Sequence, residues 1–114
     1  MNPDVTREIE LPASPDEVWR SVAEPEQLGE WLDADVEIEL RPGGAGSFRF
    51  ADGEVRRALV RDVEPGHRLA FVWWPLDAGQ PGPATTVTIT IEPRDGGSRL
   101  RLVESPIARA WAVA

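Results

Sequence analysis

The chain has no cysteine, no lysine and no tyrosine, and only one histidine in 114 residues. Each absence closes off a chemistry. Without cysteine there is no disulfide framework, no thiolate metal site and no cysteine nucleophile. Without lysine there is no Schiff-base lysine, and without tyrosine there is no phenolic acid. The lone His67 cannot build a two-histidine zinc site or a facial triad. Set in a turn between Gly66 and Arg68, it reads as a solvated loop residue rather than as a general acid or base, which needs a fixed place in a pocket. Long apolar runs are missing as well. No stretch approaches the roughly 20 residues that span a bilayer, and the start MNPDVTREIE has no basic segment followed by an apolar one. The expectation is a cytoplasmic protein with no membrane association, no metal and no cofactor.

Positive charge is also scarce. Twelve basic residues, all arginine, stand against 20 acidic ones for a net charge of −8. Such a balance argues against a protein that tracks nucleic-acid phosphates or adsorbs to an anionic membrane. The hydroxyls of Ser14, Ser21, Ser47, Ser98 and Ser105 have no histidine signature beside them, and the nucleophile-elbow pattern is absent. Gly43-Gly44-Ala45-Gly46 is glycine-rich, but no helix with a phosphate-binding lysine follows it, so it reads as a hairpin turn. Asp33-Ala34-Asp35 lacks the spacing of a calcium loop. It reads as a solvated connection.

What is present is one domain's worth of chain, 41% hydrophobic, with strongly patterned segments. Val5, Arg7, Ile9 and Leu11 alternate with polar residues as a first strand ended by Pro12. Ser14-Pro15-Asp16-Glu17 supplies an N-cap serine, a proline at the first helical position and a glutamate placed to complete a capping box. The helix it starts puts Val18, Trp19 and Val22 on one side. Pro25 opens a second short helix with Leu28, Trp31 and Leu32 in helical spacing, in which Gly29 costs roughly 1 kcal/mol relative to alanine. From Asp35 to Glu104 the pattern is strand-like throughout. Val36, Ile38 and Leu40 alternate, then Phe48 and Phe50, and the turns fall at Arg41–Gly44, Asp52-Gly53, Glu64–His67 and Asp95–Gly97. Glu54 to Val63 is a strand whose two sides both carry apolar and charged residues, so its inward face stays open. Leu69, Phe71 and Trp73 share a face in a strand closed by Pro75, and Asp77 to Pro83 is expected to be an exposed loop. Val87, Ile89 and Ile91 alternate with threonines, and Leu100 and Leu102 share a face of the last strand. After Pro106, residues 107–114 have helical character over about two turns.

The stretches REIELPASPDEVWRSVAEPEQLGEWL at 7–32, RPGGAGSFRF at 41–50, GHRLAFVWWP at 66–75 and TTVTITIEPRDGGSRLRLVES at 85–105 together resemble the SRPBCC or START-like superfamily, the fold of the birch-pollen allergen. Within it they are most similar to bacterial homologues of the activator of the ninety-kilodalton heat-shock protein ATPase. The resemblance covers nearly the whole chain. It implies a single α+β domain over 1–114 with a helix-grip fold: a curved antiparallel sheet of about six or seven strands, two short helices between the first two strands, and a C-terminal helix. In relatives that helix is long. Here the chain stops where it would begin, so a truncated C-terminal helix is expected, and a homodimer or a partner is expected to cover the open face of the sheet.

The resemblance also implies a cavity between sheet and helices. Its candidate lining residues are Trp19 and Trp31 from the helices, with Phe48, Phe50, Phe71 and Trp73 from the middle of the sheet. Val87, Ile89, Leu100 and Leu102 complete the apolar set from the last strands. Arg57 and Leu59 are the candidates from the ambiguous strand; if Arg57 points inward, its charge needs a partner such as Glu104 or Asp33, or an anionic or carbonyl group on a ligand. Each of these residues singly is ordinary core material; together they describe an apolar pocket with few polar groups. The leading functional expectation is non-catalytic binding of a hydrophobic small molecule. A polyketide cyclase or aromatase-like enzyme, drawing on Arg57, His67, Glu104 and the threonines, is the first alternative. A co-chaperone-like interaction module is the second.

Overall fold

The computed structural model describes residues 5–77 and 80–106. The expected C-terminal helix over 107–114 lies outside them. In chain order the elements are β1 (Val5–Leu11), α1 (Pro15–Ala23), α2 (Pro25–Leu32), β2 (Ala34–Ile38), β3 (Ala45–Phe50), β4 (Val55–Glu64), β5 (Arg68–Asp77), the two-residue β6 (Gln80–Pro81), β7 (Thr85–Arg94) and β8 (Gly97–Pro106). Seven strands form one antiparallel sheet in the order β1-β8-β7-β5-β4-β3-β2, curled into a half-barrel, while β6 pairs only with the end of β5. β2 to β5 each pair with the next strand in sequence, as do β7 and β8, and β7 returns beside β5 after the short β6. β1 closes the order from the other side by pairing with β8, with Val5 opposite Glu104 and Leu11 opposite Ser98.

The helices form where the sequence says they should, for local reasons. The hydroxyl of Ser14 accepts a hydrogen bond from the Glu17 amide, and the Glu17 carboxylate accepts one from the Ser14 amide at 3.2 Å, so the capping box is complete. These bonds hold the Glu17 carboxyl below its ordinary value of 4.5, the Ser14 backbone contributing most. Glu24 then ends α1 and starts α2 in a single extended residue. α2 stops at Asp33, which adopts the left-handed conformation at φ 58° and returns its amide to the Gly29 carbonyl. Gly29 is more than a weak helix former. A Cβ there would fall on the carbonyl oxygen of Ala34, so only glycine lets β2 turn back so closely over the helix.

Two expectations about strands change. β5 does not close at Pro75 but runs on to Asp77, and Gln80–Pro81 pairs back onto it. Proline is tolerated because its backbone faces the returning segment beyond the end of β7, where its carbonyl accepts from the Gly82 amide at 2.8 Å. β4 carries a bulge: its register against β5 slips between Val60 and Asp62, leaving Arg61 unpaired. Arg56, Ala58 and Val60 therefore face inward before the bulge, and Val63 faces inward after it.

The core fills the concave side of the sheet. Val18 and Val22 of α1 and Leu28 of α2 pack over Phe48, Val60, Leu69, Phe71, Ile91 and Leu100, all at most 3% exposed. Ser98 is buried with them, and its hydroxyl donates to the Ala13 carbonyl at 2.6 Å, tying the approach to α1 onto β8. On the outer side of β1, Glu8 and Glu10 stand opposite Arg101 and Arg99 and form ion pairs with them at 3.5 and 2.6 Å. No helix among the described residues is long and apolar enough to cross a membrane.

Candidate functional site

The concave face is not filled along its whole length. Beyond α2 a groove runs between the helix and strands β1, β8, β7 and β5. Its deeper chamber, about 190 Å³, is lined by Leu32, Phe71, Trp73, Val87, Ile89 and Leu102, with Val5, Arg7 and Glu104 beside them. A second chamber of about 220 Å³ adjoins it, sharing Arg7, Leu32 and Leu102 and adding Ile9, Trp31 and Leu100. The rim stays accessible, with Val5, Ile9 and Trp31 at 50%, 42% and 37% exposure. Two larger concavities, one beside α1 and one between α2 and the β2–β3 edge, are more open and lined by more polar groups.

Trp73 is the centre of the deep chamber, and its setting follows from strand register. Being on the inward face of β5, it lies opposite Ala58 on one side and Thr85 on the other. The small Ala58 leaves room for the aromatic rings around the indole. Phe48 meets it edge-on at 5.2 Å between centroids, Phe71 at 5.5 Å and Phe50 at 6.4 Å. The Arg56 guanidinium lies 4.7 Å from the indole centroid while pairing with Glu54 at 2.9 Å. The ring is thus packed on several sides, and its N–H is aimed at one place.

That place is Glu104. The Trp73 indole N–H approaches both Glu104 Oε2 at 2.9 Å and Thr85 Oγ1 at 3.0 Å, and the Thr85 hydroxyl donates to the same Oε2 at 2.6 Å. Glu104 therefore accepts two hydrogen bonds on one oxygen. Its other oxygen has no partner among the described residues. Arg7, also on the chamber wall, makes no ion pair with a described residue. Among the described residues, the site is an apolar chamber with a fixed carboxylate and a guanidinium as its charged lining groups.

Among the residues expected at the cavity, Phe71, Trp73, Val87, Ile89 and Leu102 line the deep chamber, and Trp31 and Leu100 line the second. Phe48 is wholly buried behind Trp73. Phe50 lines the wide cleft beside β2 instead, and Trp19 packs against the core on α1 without reaching the groove. Arg57 and Leu59 are corrected: both lie on the convex side, Arg57 opposite Ser47 and Trp74, and Leu59 opposite Ala45 and Val72. Both are exposed, Leu59 at 41%. The inward arginine of β4 is its neighbour Arg56. His67 is exposed in the β4–β5 turn, where its backbone amide donates to the Glu64 carbonyl and its carbonyl accepts from the Ile91 amide. Arg7 and Glu104 were not among the expected lining residues, yet each continues an apolar alternation, Val5-Arg7-Ile9 and Leu100-Leu102-Glu104. A charged residue in an otherwise apolar series is the signal that could have found them. Among the described residues no three histidine, aspartate or glutamate side chains come together as metal ligands.

A curled antiparallel half-barrel with two helices across one end and a groove along its concave face defines the SRPBCC-type helix-grip class. The model of the family described as Activator of Hsp90 ATPase homolog 1-like protein matches residues 12–114, and the chain belongs to that family. Among solved structures it is similar to DynU16, a protein of the dynemicin biosynthetic locus, with TM-score 0.82 and 27% identity over 98% of this chain. The chain spans only 40% of the length of DynU16. It is similar also to protein MLL2253 of Mesorhizobium loti, with TM-score 0.80 and 25% identity over 96% of this chain and 84% of that one. Protein CV1439 of Chromobacterium violaceum gives TM-score 0.77 and 27% identity over 96% and 83%. No curated protein matches the chain.

Proposed function

We propose that this protein binds a hydrophobic small molecule, without transforming it, in the groove between α2 and strands β1, β8, β7 and β5. The observation that carries this reading is the deep chamber itself, about 190 Å³ of space walled by Phe71, Trp73, Val87, Ile89 and Leu102. Apolar walls with a few placed polar groups are the usual make-up of a small-molecule site, where burial supplies affinity and polar groups supply orientation. The family resemblance adds support at the level of fold. Titration with naphthalene, followed through indole fluorescence, tests it. Saturable quenching is expected, because Trp73 forms the chamber wall. Leu102→Trp should fill the space and abolish the quenching while far-ultraviolet circular dichroism stays unchanged. Absence of a saturable response in the unmodified protein would sink the reading.

One observation favours a second reading, that of an enzyme of the cyclase kind. Glu104 lines the chamber with one carboxylate oxygen held by Trp73 and Thr85 and the other without a partner among the described residues, and a positioned carboxylate can take a proton from a bound substrate. The neighbour DynU16 belongs to a biosynthetic locus, which suits either reading. Of the other acid–base groups considered, Arg57 and His67 lie away from the groove, so catalysis would rest on Glu104. Turnover of a polyketide-like substrate that Glu104→Gln abolishes, with binding retained, would establish it.

A further inference from the structure

The chamber's polar end has a hydrogen-bonding polarity that restricts what can occupy it, beyond being apolar. Glu104 Oε2 is saturated by the Trp73 indole N–H and the Thr85 hydroxyl, at 2.9 and 2.6 Å. The Thr85 hydrogen is spent on that bond, and the indole hydrogen is shared between Thr85 and Glu104. No donor of this trio remains for a ligand. What remains is Glu104 Oε1, a carboxylate oxygen without a partner among the described residues, which serves as an acceptor. A ligand group placed against it must therefore donate a hydrogen bond. An ether, a carbonyl or a carboxylate there would face a lone pair and lose its water without compensation.

Charge narrows the donor further. Arg7 shares the chamber wall with Glu104, and Arg56 lies against the outer wall formed by Trp73, its own charge met by Glu54. Arg7 and Glu104, the charged lining groups of the chamber among the described residues, are opposite in sign and stand on the paired strands β1 and β8, so a second cation is not called for. A neutral donor meets the site without disturbing this balance, whereas an ammonium would meet Arg7. Around this end the walls are Phe71, Trp73 and Val87, which suit a flat ring. We infer that the groove selects a neutral hydroxylated arene, its hydroxyl donating to Glu104 Oε1 and its ring lying against Trp73. This deepens the small-molecule reading above and rests on it.

The test compares 2-naphthol, 2-methoxynaphthalene and 2-naphthylmethylamine on the unmodified protein by isothermal titration calorimetry, with naphthalene as the apolar reference. The hydroxyl compound should bind about tenfold or more tightly than its methyl ether, as expected for a hydrogen bond to a charged acceptor, and more tightly than the amine. In Glu104→Gln the amide oxygen can replace Oε2 and turn its NH2 to the ligand, so the preference for naphthol over the ether should vanish or invert. Thr85→Val, which releases the carboxylate from its fixed position, should weaken the preference less. Equal binding of naphthol and its ether to the unmodified protein would overturn this inference while leaving the groove reading intact. Tightest binding of the amine would overturn the neutral assignment. An unchanged preference in Glu104→Gln, in protein with native circular dichroism, would overturn the role of Glu104. Failure of all four compounds, naphthalene included, would remove the groove reading and this inference together.

Discussion

Under α1 the concave face of the sheet is shut; beyond α2 the same face, built from the same strands, is a groove. The difference lies in what each strand position faces. Phe48, Leu69 and Ile91 meet Val18, Val22 and Leu28 and are wholly buried, whereas Val5, Ile9 and Trp31 face the groove and keep 37–50% of their surface. The polar groups divide in the same way. In the shut half Ser98 is consumed by a structural hydrogen bond to Ala13, while in the open half one oxygen of Glu104 has no partner among the described residues. One end of the sheet holds the domain together and the other is available for binding, so substitutions in the two halves should separate stability from affinity.

The largest contrast is between aromatic residues. Phe48→Ala, in the shut half, should cost about 3–5 kcal/mol, and Trp31→Ala, on the groove rim, only about 1–2 kcal/mol. Urea unfolding of both variants measures this, and equal losses would erase the distinction between the halves. A middle-sized effect is expected where the two halves meet. Gly29→Ala would push a methyl into the Ala34 carbonyl, and the strain of separating α2 from β2 should cost about 1–3 kcal/mol, read as a lowered urea midpoint. Naphthalene affinity measured on the same variant shows whether moving α2 deforms the groove, and a fall is expected because Leu32 lines both chambers.

The smallest effect belongs to the cap. Ser14→Ala should lower stability by about 1 kcal/mol and leave groove binding unchanged. Its pH dependence has a definite sign. The Glu17 carboxyl titrates below 4.5 in the folded protein, so its contribution is complete above that value and is lost as pH falls through the lowered folded value. Glu17→Gln should remove this part of the acid-side loss. Thermal melts between pH 3 and 6 would show it as a shallower decline, and an unchanged slope would mean that the cap bond does not form in solution.

Much of the fold was legible because local signals agreed with tertiary ones. Ser14 and Glu17 announce the helix start, and alternation of Val87, Ile89 and Ile91 with threonine announces a strand with one buried face; both hold in the structure. Where local signals were divided, the reading failed. β4 carries arginines at 56, 57 and 61, and a bulge at Arg61 breaks the two-residue period, so no single alternation describes the strand. Its inward face is decided by Phe48 across one ladder and by Phe71 and Trp73 across the other, contacts between residues distant in sequence. Pro75 misled for the opposite reason, since a local rule that ends strands yields where the missing N–H has no ladder partner to lose. The apolar walls of the site were legible as a set. Arg7 and Glu104 carried a signal, each continuing an apolar alternation, but the trio of Trp73, Thr85 and Glu104 did not, because it assembles from three strands and no spacing along the chain encodes it.

The pairing of β1 with β8 places Val5 against Glu104 and Leu11 against Ser98, and this bears on how the domain is made. Nearly the whole chain must be collected before that ladder can zip, and loop closure on this scale is a slow step, so folding in milliseconds to seconds rather than microseconds is expected. The groove shares this late origin. Val5 and Arg7 come from the first strand, Leu102 and Glu104 from the last, and until those two meet, no wall stands opposite Trp73. A nascent chain still lacking its final strand would have its helices but no binding site, and ligand would favour the last step of folding by engaging only the finished form.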